Sequence, residues 1–317
     1  MKTVITGSIA YDYLMSFPGR FTDHLLVDQL HKISLSFLVD SMKRQRGGIA
    51  ANIAYTLALL GGRPRIMATV GEDFGDYRSW LEQNGVDTSA VIEIPGDYCA
   101  SFFVNTDQAQ NQIASFYTGA MAHSARLSFS ELAADTDLAI ISPNDPTAMR
   151  AYAAECKRLG IRYIYDPSQQ TIRLSGADLC DGLDGCFLLA ANEYEFALIR
   201  EKTGLSERQL LERAGGLLIT KGSDGAELRV GGQVYDIPAV PPFRVIEPTG
   251  AGDAFRAGLL RGIQLGLPWE VVGRLGALAA TYVLEELGTQ NHRFTPAEFV
   301  ARYRQHFDDQ GALDILR

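Results

Sequence analysis

Leu138-Ala139-Ile140-Ile141, Tyr163-Ile164-Tyr165, Phe187-Leu188-Leu189-Ala190 and Leu217-Leu218-Ile219-Thr220 are four short apolar runs within one stretch of chain. Segments with helical spacing separate them. Short all-apolar strands alternating with helices predict a parallel sheet covered on both faces, because parallel strands need crossover connections that bury the sheet. The fold class is therefore α/β. Toward the N-terminus, Val4-Ile5-Thr6-Gly7-Ser8-Ile9 reads as another buried strand ending at a glycine, and residues 65–70 as one more. Between them Ile49, Ile53, Leu57 and Leu60, with Ala at 50, 51, 54 and 58, predict a helix with a small-residue face, closed by Gly61-Gly62. A second helix is expected over 77–84. Toward the C-terminus, residues 227–230 and 233–237 flank Gly231-Gly232 as a late hairpin, and helices are expected near 252–265, 270–286 and 296–306.

Two segments break this alternation. Residues 11–46 mix aromatics with charges, and Ile33-Ser34-Leu35-Ser36-Phe37-Leu38-Val39 has the period of two expected of a strand with one wet face. Residues 98–118 alternate in the same way, with a turn predicted around Asn105-Thr106-Asp107. The expected organisation is a core of residues 1–10, 47–97 and 119–317, with 11–46 and 98–118 pairing into a small sheet above it. Ligands bind at the carboxyl ends of parallel strands, so a sheet standing there is a natural lid.

The composition narrows the function. The 317 residues are 46% hydrophobic and 21% charged, an ordinary globular mix. No apolar stretch is long and clean enough to span a bilayer, and the first residues lack a secretory apolar region, so a cytoplasmic location without membrane partners is expected. A net charge of −9 argues against nucleic acid as a partner, which would need clustered Lys and Arg. Cys99, Cys156, Cys180 and Cys186 form no C-x-x-C pair and are expected to be buried reduced thiols.

Glu247-Pro248-Thr249-Gly250-Ala251-Gly252-Asp253-Ala254-Phe255 carries the sharpest chemical signal. Pro248 ends what precedes it, Gly250 and Gly252 allow close backbone approach, and helical periodicity follows at once. Free amides at a helix start accept anionic oxygens, and a carboxylate in that first turn could take a hydroxyl proton beside them. An ordinary strand-to-helix turn with an acidic first-turn residue fits the spacing equally well. Phe255 stands where G-x-G-x-x-G needs its last glycine, which disfavours a dinucleotide-dependent oxidoreductase, and no P-loop motif occurs. Gly47-Gly48-Ile49-Ala50-Ala51-Asn52 exposes backbone ahead of an amide, yet is read more simply as a tightly packed helix start. Asn192-Glu193-Tyr194-Glu195, after an apolar strand, could organise a hydrated Mg²⁺, although a helix cap is commoner. Thr220-Lys221-Gly222-Ser223-Asp224-Gly225 offers a backbone nest for phosphates or a plain turn.

Taken in order along the chain, these four elements resemble the ribokinase (PfkB-type) family. Residues 47–62 resemble its first signature and 247–253 its second, with N-x-x-E at 192–195 and the nucleotide-loop strand at 220–222. Gly7-Ser8-Ile9-Ala10-Tyr11-Asp12, Asn111-Gln112-Ile113 and Gly119-Ala120-Met121 look most like the adenosine-kinase-like nucleoside kinases of bacteria and archaea. The resemblance implies a three-layer α/β/α core with a mainly parallel sheet and a β lid. It implies an ATP- and Mg²⁺-dependent kinase with an alcohol acceptor, the 5′-hydroxyl of a ribonucleoside. Asp253 would be the base and the amides of Gly250, Ala251 and Gly252 the anion hole. Asp12, Gly47, Gly48, Asn52 and Gln112 would bind the acceptor. Asn192, Thr220, Gly222, Gly225, Thr249 and Gly252 would bind ATP, with Asn192 and Glu195 ordering Mg²⁺ and its waters. The family usually has Asp where this chain has Glu247, a position tied in many members to a monovalent cation such as K⁺. The chain would act as a monomer or homodimer. The rival inside the family is a sugar or sugar-phosphate kinase, for which Lys43, Arg44 and Arg46 could supply a basic pocket. A nucleoside-binding protein without catalysis would not need Asp253.

Overall fold

In the computed structural model, which describes residues 1–25, 31, 32 and 34–316, the apolar runs do assemble into one sheet. Four parallel strands come from the deciding stretch: β8 (Leu138–Ile141), β9 (Arg162–Tyr165), β10 (Leu188–Asn192) and β11 (Gly216–Thr220). The N-terminal β1 (Thr3–Thr6) docks beside β8, followed outward by β4 (Arg65–Val70) and β5 (Asp87–Glu93). The hairpin of β12 (Ala226–Val230) and β13 (Gln233–Ile237) extends the other edge, antiparallel to β11. The order across all nine strands is β13-β12-β11-β10-β9-β8-β1-β4-β5. Strand β5 is absent from the sequence-based reading. It lies at an edge, where a polar strand such as Asp87-Thr88-Ser89 leaves no apolar run to see.

Alternate residues of the central strands feed two cores. Ile5, Ile140, Ile164, Leu188 and Leu218 pack with α1 (Ile49–Leu59), α2 (Gly75–Gln83), α7 (Ala251–Leu265), α8 (Trp269–Leu284) and α9 (Pro296–His306). Val4, Ala139, Ile141, Tyr163, Leu189 and Leu217 pack with α3 (Pro146–Leu159), α4 (Gly176–Leu183), α5 (Glu193–Thr203) and α6 (Glu207–Arg213) on the other side. The result is the three-layer α/β/α arrangement. Burying one such aliphatic side chain is worth about 1.5–3 kcal/mol, so two-sided burial makes these strands the foundation of the fold. Cys99, Cys156 and Cys186 are buried free thiols, whereas Cys180 is only half-buried.

A second, four-stranded sheet has the order β3-β2-β6-β7, from β2 (Ala10–Ser16), β3 (Ser41–Gly47), β6 (Ala100–Thr106) and β7 (Gln112–Tyr117). Strands β2 and β6 run parallel, and the outer pairs are antiparallel. The hairpin of β6 and β7 matches the expectation for 98–118. The strand expected at 33–39 does not form. Ile33 lies outside the described residues, and 34–39 hold no regular element. Phe37 instead packs edge-on against Phe17 and Phe21, with ring centroids 5.0 and 4.9 Å away, and aromatic clustering there replaces sheet pairing. No helix among the described residues is long and apolar enough to cross a membrane.

Candidate active site

Two cavities open at the carboxyl ends of the parallel strands, one on each side of the start of α7. The larger, about 620 Å³, lies between the loop after β11 and helix α8. Thr220, Gly222, Ser223 and Gly225 line one side and Val240, Pro242, Ala280 and Leu284 another, so a polar loop faces a flat apolar slot. The smaller, about 500 Å³, lies under the second sheet. One transverse row of that sheet pairs Asp12 with Phe102 and Phe102 with Phe116, and all three side chains line the cavity. Gly48, Asn52, Met121, Thr249 and Asp253 line its floor and walls. Gly252 borders both cavities.

The start of α7 is built for close approach. Gly250 precedes the helix with φ of +83°, a left-handed conformation, and a Cβ there would press on Thr289 at 2.8 Å. Of the amides assigned to the anion hole, that of Ala251 makes a long bond to the Pro248 carbonyl (3.3 Å). Those of Gly250 and Gly252 carry no backbone bond among the described residues, and neither does that of Asp253. The Gly252 carbonyl accepts from Arg256 Nη1 (2.9 Å), which fixes the peptide plane carrying the Asp253 N–H. Arg256 is itself buried, 2.5 Å from Asp166 Oδ2 in an ion pair and donating to Asp166 Oδ1 (2.6 Å). Burial disfavours the charged guanidinium, but Asp166 overrides it and holds Arg256 above its ordinary value. Removing one partner of such a pair typically costs about 3–5 kcal/mol, so the pair anchors α7 to the end of β9.

Asp253 is half-buried on the cavity wall. Burial pushes its carboxyl up to about 7, opposed by a hydrogen bond from Asn52 and by Arg256, and assisted by Asp166 and Glu195. Asn52 Nδ2 donates to Asp253 Oδ2 at 2.8 Å. A carboxylate poised near neutrality beside free amides suits proton abstraction at ordinary pH. Asp12 is raised to about 6, first by burial and then by Glu247.

The remaining residues divide. Thr220, Gly222 and Gly225 line the larger cavity; Thr249, grouped by sequence with ATP, faces the smaller one instead. Gly48 lines the smaller cavity, whereas Gly47 is buried behind Asp12 and gives its carbonyl to Tyr77 Oη (2.8 Å). Gln112, expected to bind the acceptor, does not line the smaller cavity. It lies four residues along β7 from Phe116, about 13 Å at strand rise, and donates to Thr106 Oγ1 (3.4 Å). Asn192 lines neither cavity; its Oδ1 accepts from the Glu195 amide (2.8 Å) while Glu195 Oε2 accepts from the Asn192 amide (2.9 Å), a complete capping box. Glu195 Oε1 accepts from Ser168 Oγ (3.3 Å). Glu247 Oε2 is taken by the Gly288 amide (2.8 Å). Sequence reasoning missed Arg256, Asp166, Gln290 and the aromatic pair Phe102 and Phe116. Asp166 was findable, since it follows an apolar strand at its carboxyl end.

The pfkB carbohydrate kinase family matches residues 10–296, nearly the whole chain. The chain belongs to that family. It is 40% identical to a Burkholderia thailandensis nucleoside kinase solved with inosine, with a TM-score of 0.85 over 96% of this chain and 98% of that one. The same protein solved with ADP-inosine shows 42% identity and a TM-score of 0.84 over 96% of each chain. A nucleoside kinase of Methanothermobacter thermautotrophicus is 29% identical over 94% of both chains. Family membership makes the chain an ATP-dependent kinase acting on a hydroxyl group; Gly252 stands on the wall that the two cavities share.

Proposed function

We propose that the protein transfers the γ-phosphoryl group of ATP to the 5′-hydroxyl of a ribonucleoside. The observation that carries the reading is the acceptor cavity. It combines a diol-sized polar end, Asp12 and Asn52, with a planar apolar wall, Phe102 and Phe116, and it holds Asp253 between them and the donor cavity. Similarity to a nucleoside kinase solved with inosine supports the same acceptor class. A free sugar would use the polar end and leave the aromatic wall idle, while a base stacks on it with little regard to identity.

In this reading Asp12 accepts from a ribose hydroxyl. Asn52, whose oxygen is already engaged by Thr289 and Gln290, can only donate. Asp253 Oδ1 takes the 5′-hydroxyl proton as that oxygen bonds to the γ-phosphorus, and the bond to the departing ADP breaks. The amides of Gly250, Gly252 and Asp253 neutralise the charge that develops on the transferring group. The four strands of the second sheet, β2, β3, β6 and β7, act as one lid that excludes water from the acceptor.

Mg²⁺ would arrive with the ATP phosphates and lower their charge. Such an ion keeps most of its waters and uses few protein oxygens. Glu195 would order those waters through Oε1. Gln at 195 would preserve the capping box while removing the charge, so Glu195→Gln should raise the Mg²⁺ needed for half-maximal rate. An unchanged titration would leave residues 192–195 as a cap alone. Glu247 Oε2 already accepts from the Gly288 amide, and no step is assigned to K⁺.

The test is kcat/KM across adenosine, inosine, guanosine, cytidine, their 2′-deoxy forms, ribose and fructose, with Asp253→Asn in parallel. Ribonucleosides should lead, and Asp253→Asn should lose about 10²–10⁴-fold, the usual contribution of a general base. A free sugar outperforming every nucleoside would overturn the acceptor, and near-normal turnover by Asp253→Asn would overturn the base.

A further inference from the structure

The amide that holds Asp253 needs an orientation, and a chain of buried hydrogen bonds supplies it. The Asn52 oxygen accepts from Thr289 Oγ1 (2.8 Å) and from Gln290 Nε2 (2.9 Å). Gln290 Nε2 also donates to Tyr77 Oη (2.5 Å), and Tyr77 Oη donates to the Gly47 carbonyl (2.8 Å). A backbone carbonyl can only accept, so the single phenolic proton of Tyr77 goes to Gly47. The phenol oxygen is then an acceptor, and only the nitrogen of the Gln290 amide can face it. That same nitrogen faces Asn52, which must turn its oxygen toward Gln290 and its nitrogen toward Asp253. Reversing the amides would set oxygen against oxygen. Asn52, Tyr77, Thr289 and Gln290 are each 5% exposed or less, so water cannot repair a wrong orientation cheaply.

We propose that Gln290 is a positioning residue for phosphoryl transfer, locking the Asn52 amide as a donor so that Asp253 stays in the ionised form that takes the proton. The inference rests on the reading of Asp253 as the base. Gln290 does not line the acceptor cavity; it borders a separate small pocket with Arg44, Arg46 and Asn291. Thr289 cannot replace it, because its one hydroxyl proton is shared between Asn52 and the Arg46 carbonyl (3.1 Å). The charged groups facing Asp253 are Arg256 on its own helix, Asp166 after β9 and Glu195 in α5, with Asp12 and Arg173 on the same cavity. Among them Arg256 favours the carboxylate while Asp166 and Glu195 oppose it, as does burial. With Gln290 gone, the Asn52 amide can turn over and present oxygen to Asp253, which favours the protonated acid.

The sign follows. Activity requires ionised Asp253 and falls as pH drops through its pKa, so a higher pKa moves the acid limb to higher pH. Gln290→Met keeps length and volume but cannot donate. Its acid limb in kcat/KM should move up by about half to one pH unit, the worth of one lost hydrogen bond. The rate below the limb should fall about 3- to 10-fold and recover toward wild type at high pH, with KM for ATP unchanged. A loss uniform across pH, with the limb in its wild-type place, would make Gln290 merely structural and overturn the proposal. Tyr77→Phe removes one oxygen without changing packing and should shift the limb in the same direction by less; it decides the matter if Gln290→Met does not fold. Asp253→Asn separates the two readings. If it retains turnover, the base assignment fails; if it is inactive while the limb in the Gln290 and Tyr77 variants stays put, only the role of Gln290 fails.

Discussion

In the nine-stranded sheet, Ile5, Ile140 and Ile164 are wholly withdrawn from solvent on one face, and Ala139, Ile141 and Leu189 are withdrawn on the other. In the four-stranded sheet every residue of β7 is exposed, and Phe103, Ile113, Phe116 and Tyr117 keep 38–51% of their surface in water. The first sheet is held by burial on both sides. The second is held by its ladders and by whatever lies beneath it, and one thing beneath it is the cavity proposed for the acceptor. Rigid and adaptable parts of the enzyme are thus divided by how much apolar surface each strand can hide.

Truncation should expose that division most strongly. Ile140→Ala leaves a hole in a core closed from both sides, and such changes cost about 2–5 kcal/mol. Phe116→Ala removes a ring that is 51% exposed, so stability should change by well under half as much, while KM for the nucleoside rises as the stacking wall is lost. Denaturant midpoints and steady-state kinetics on both variants check the pair. Comparable destabilisation by the two would show that the small sheet is part of the folding core and erase the distinction.

The same division explains what could be read from the sequence. Strands buried on both faces appear as unbroken apolar runs, so β8 to β11 were legible without a structure. The α7 start was legible because its glycines, proline and carboxylate are adjacent in sequence. Strand β3 was not, because Ser41-Met42-Lys43-Arg44-Gln45-Arg46-Gly47 shows no alternation; its place comes from the ladder that sets Arg46 opposite Tyr11 and Arg44 opposite Tyr13. The guanidinium of Arg44 lies 4.6 Å from the Tyr11 ring and that of Arg46 4.5 Å from the Trp80 ring, and neither residue lines the cavity under the second sheet. Residues 34–39 alternate yet leave Leu35 and Leu38 exposed, because no neighbouring strand was available to bury them. Arg256 with Asp166, and Gln290 with Asn52, are contacts across 90 and 238 residues. No local pattern encodes such pairs, which is why these long-range pairings around Asp253 were invisible while Asp253 and Asn52 themselves were not.

The smallest effect, and the most direct reading of the lid, is expected in hydrogen exchange. Strand β7 is an edge strand with a ladder only to β6, and its side chains contribute little burial, so its amides should open by local motion rather than global unfolding. A nucleoside bound as proposed would fill the cavity that Phe102 and Phe116 line. If opening requires release of the ligand, saturation at about ten times Kd suppresses it roughly tenfold. Peptides covering 100–117 should therefore exchange more slowly with inosine than without it. Peptides covering 138–141, already closed on both faces, should be indifferent to the ligand. Equal exchange of 100–117 with and without confirmed ligand would mean that the second sheet is a fixed wall. Slowing of both regions together would mean that the ligand stabilises the molecule as a single unit, and the contrast between the two sheets would then be one of burial and not of motion.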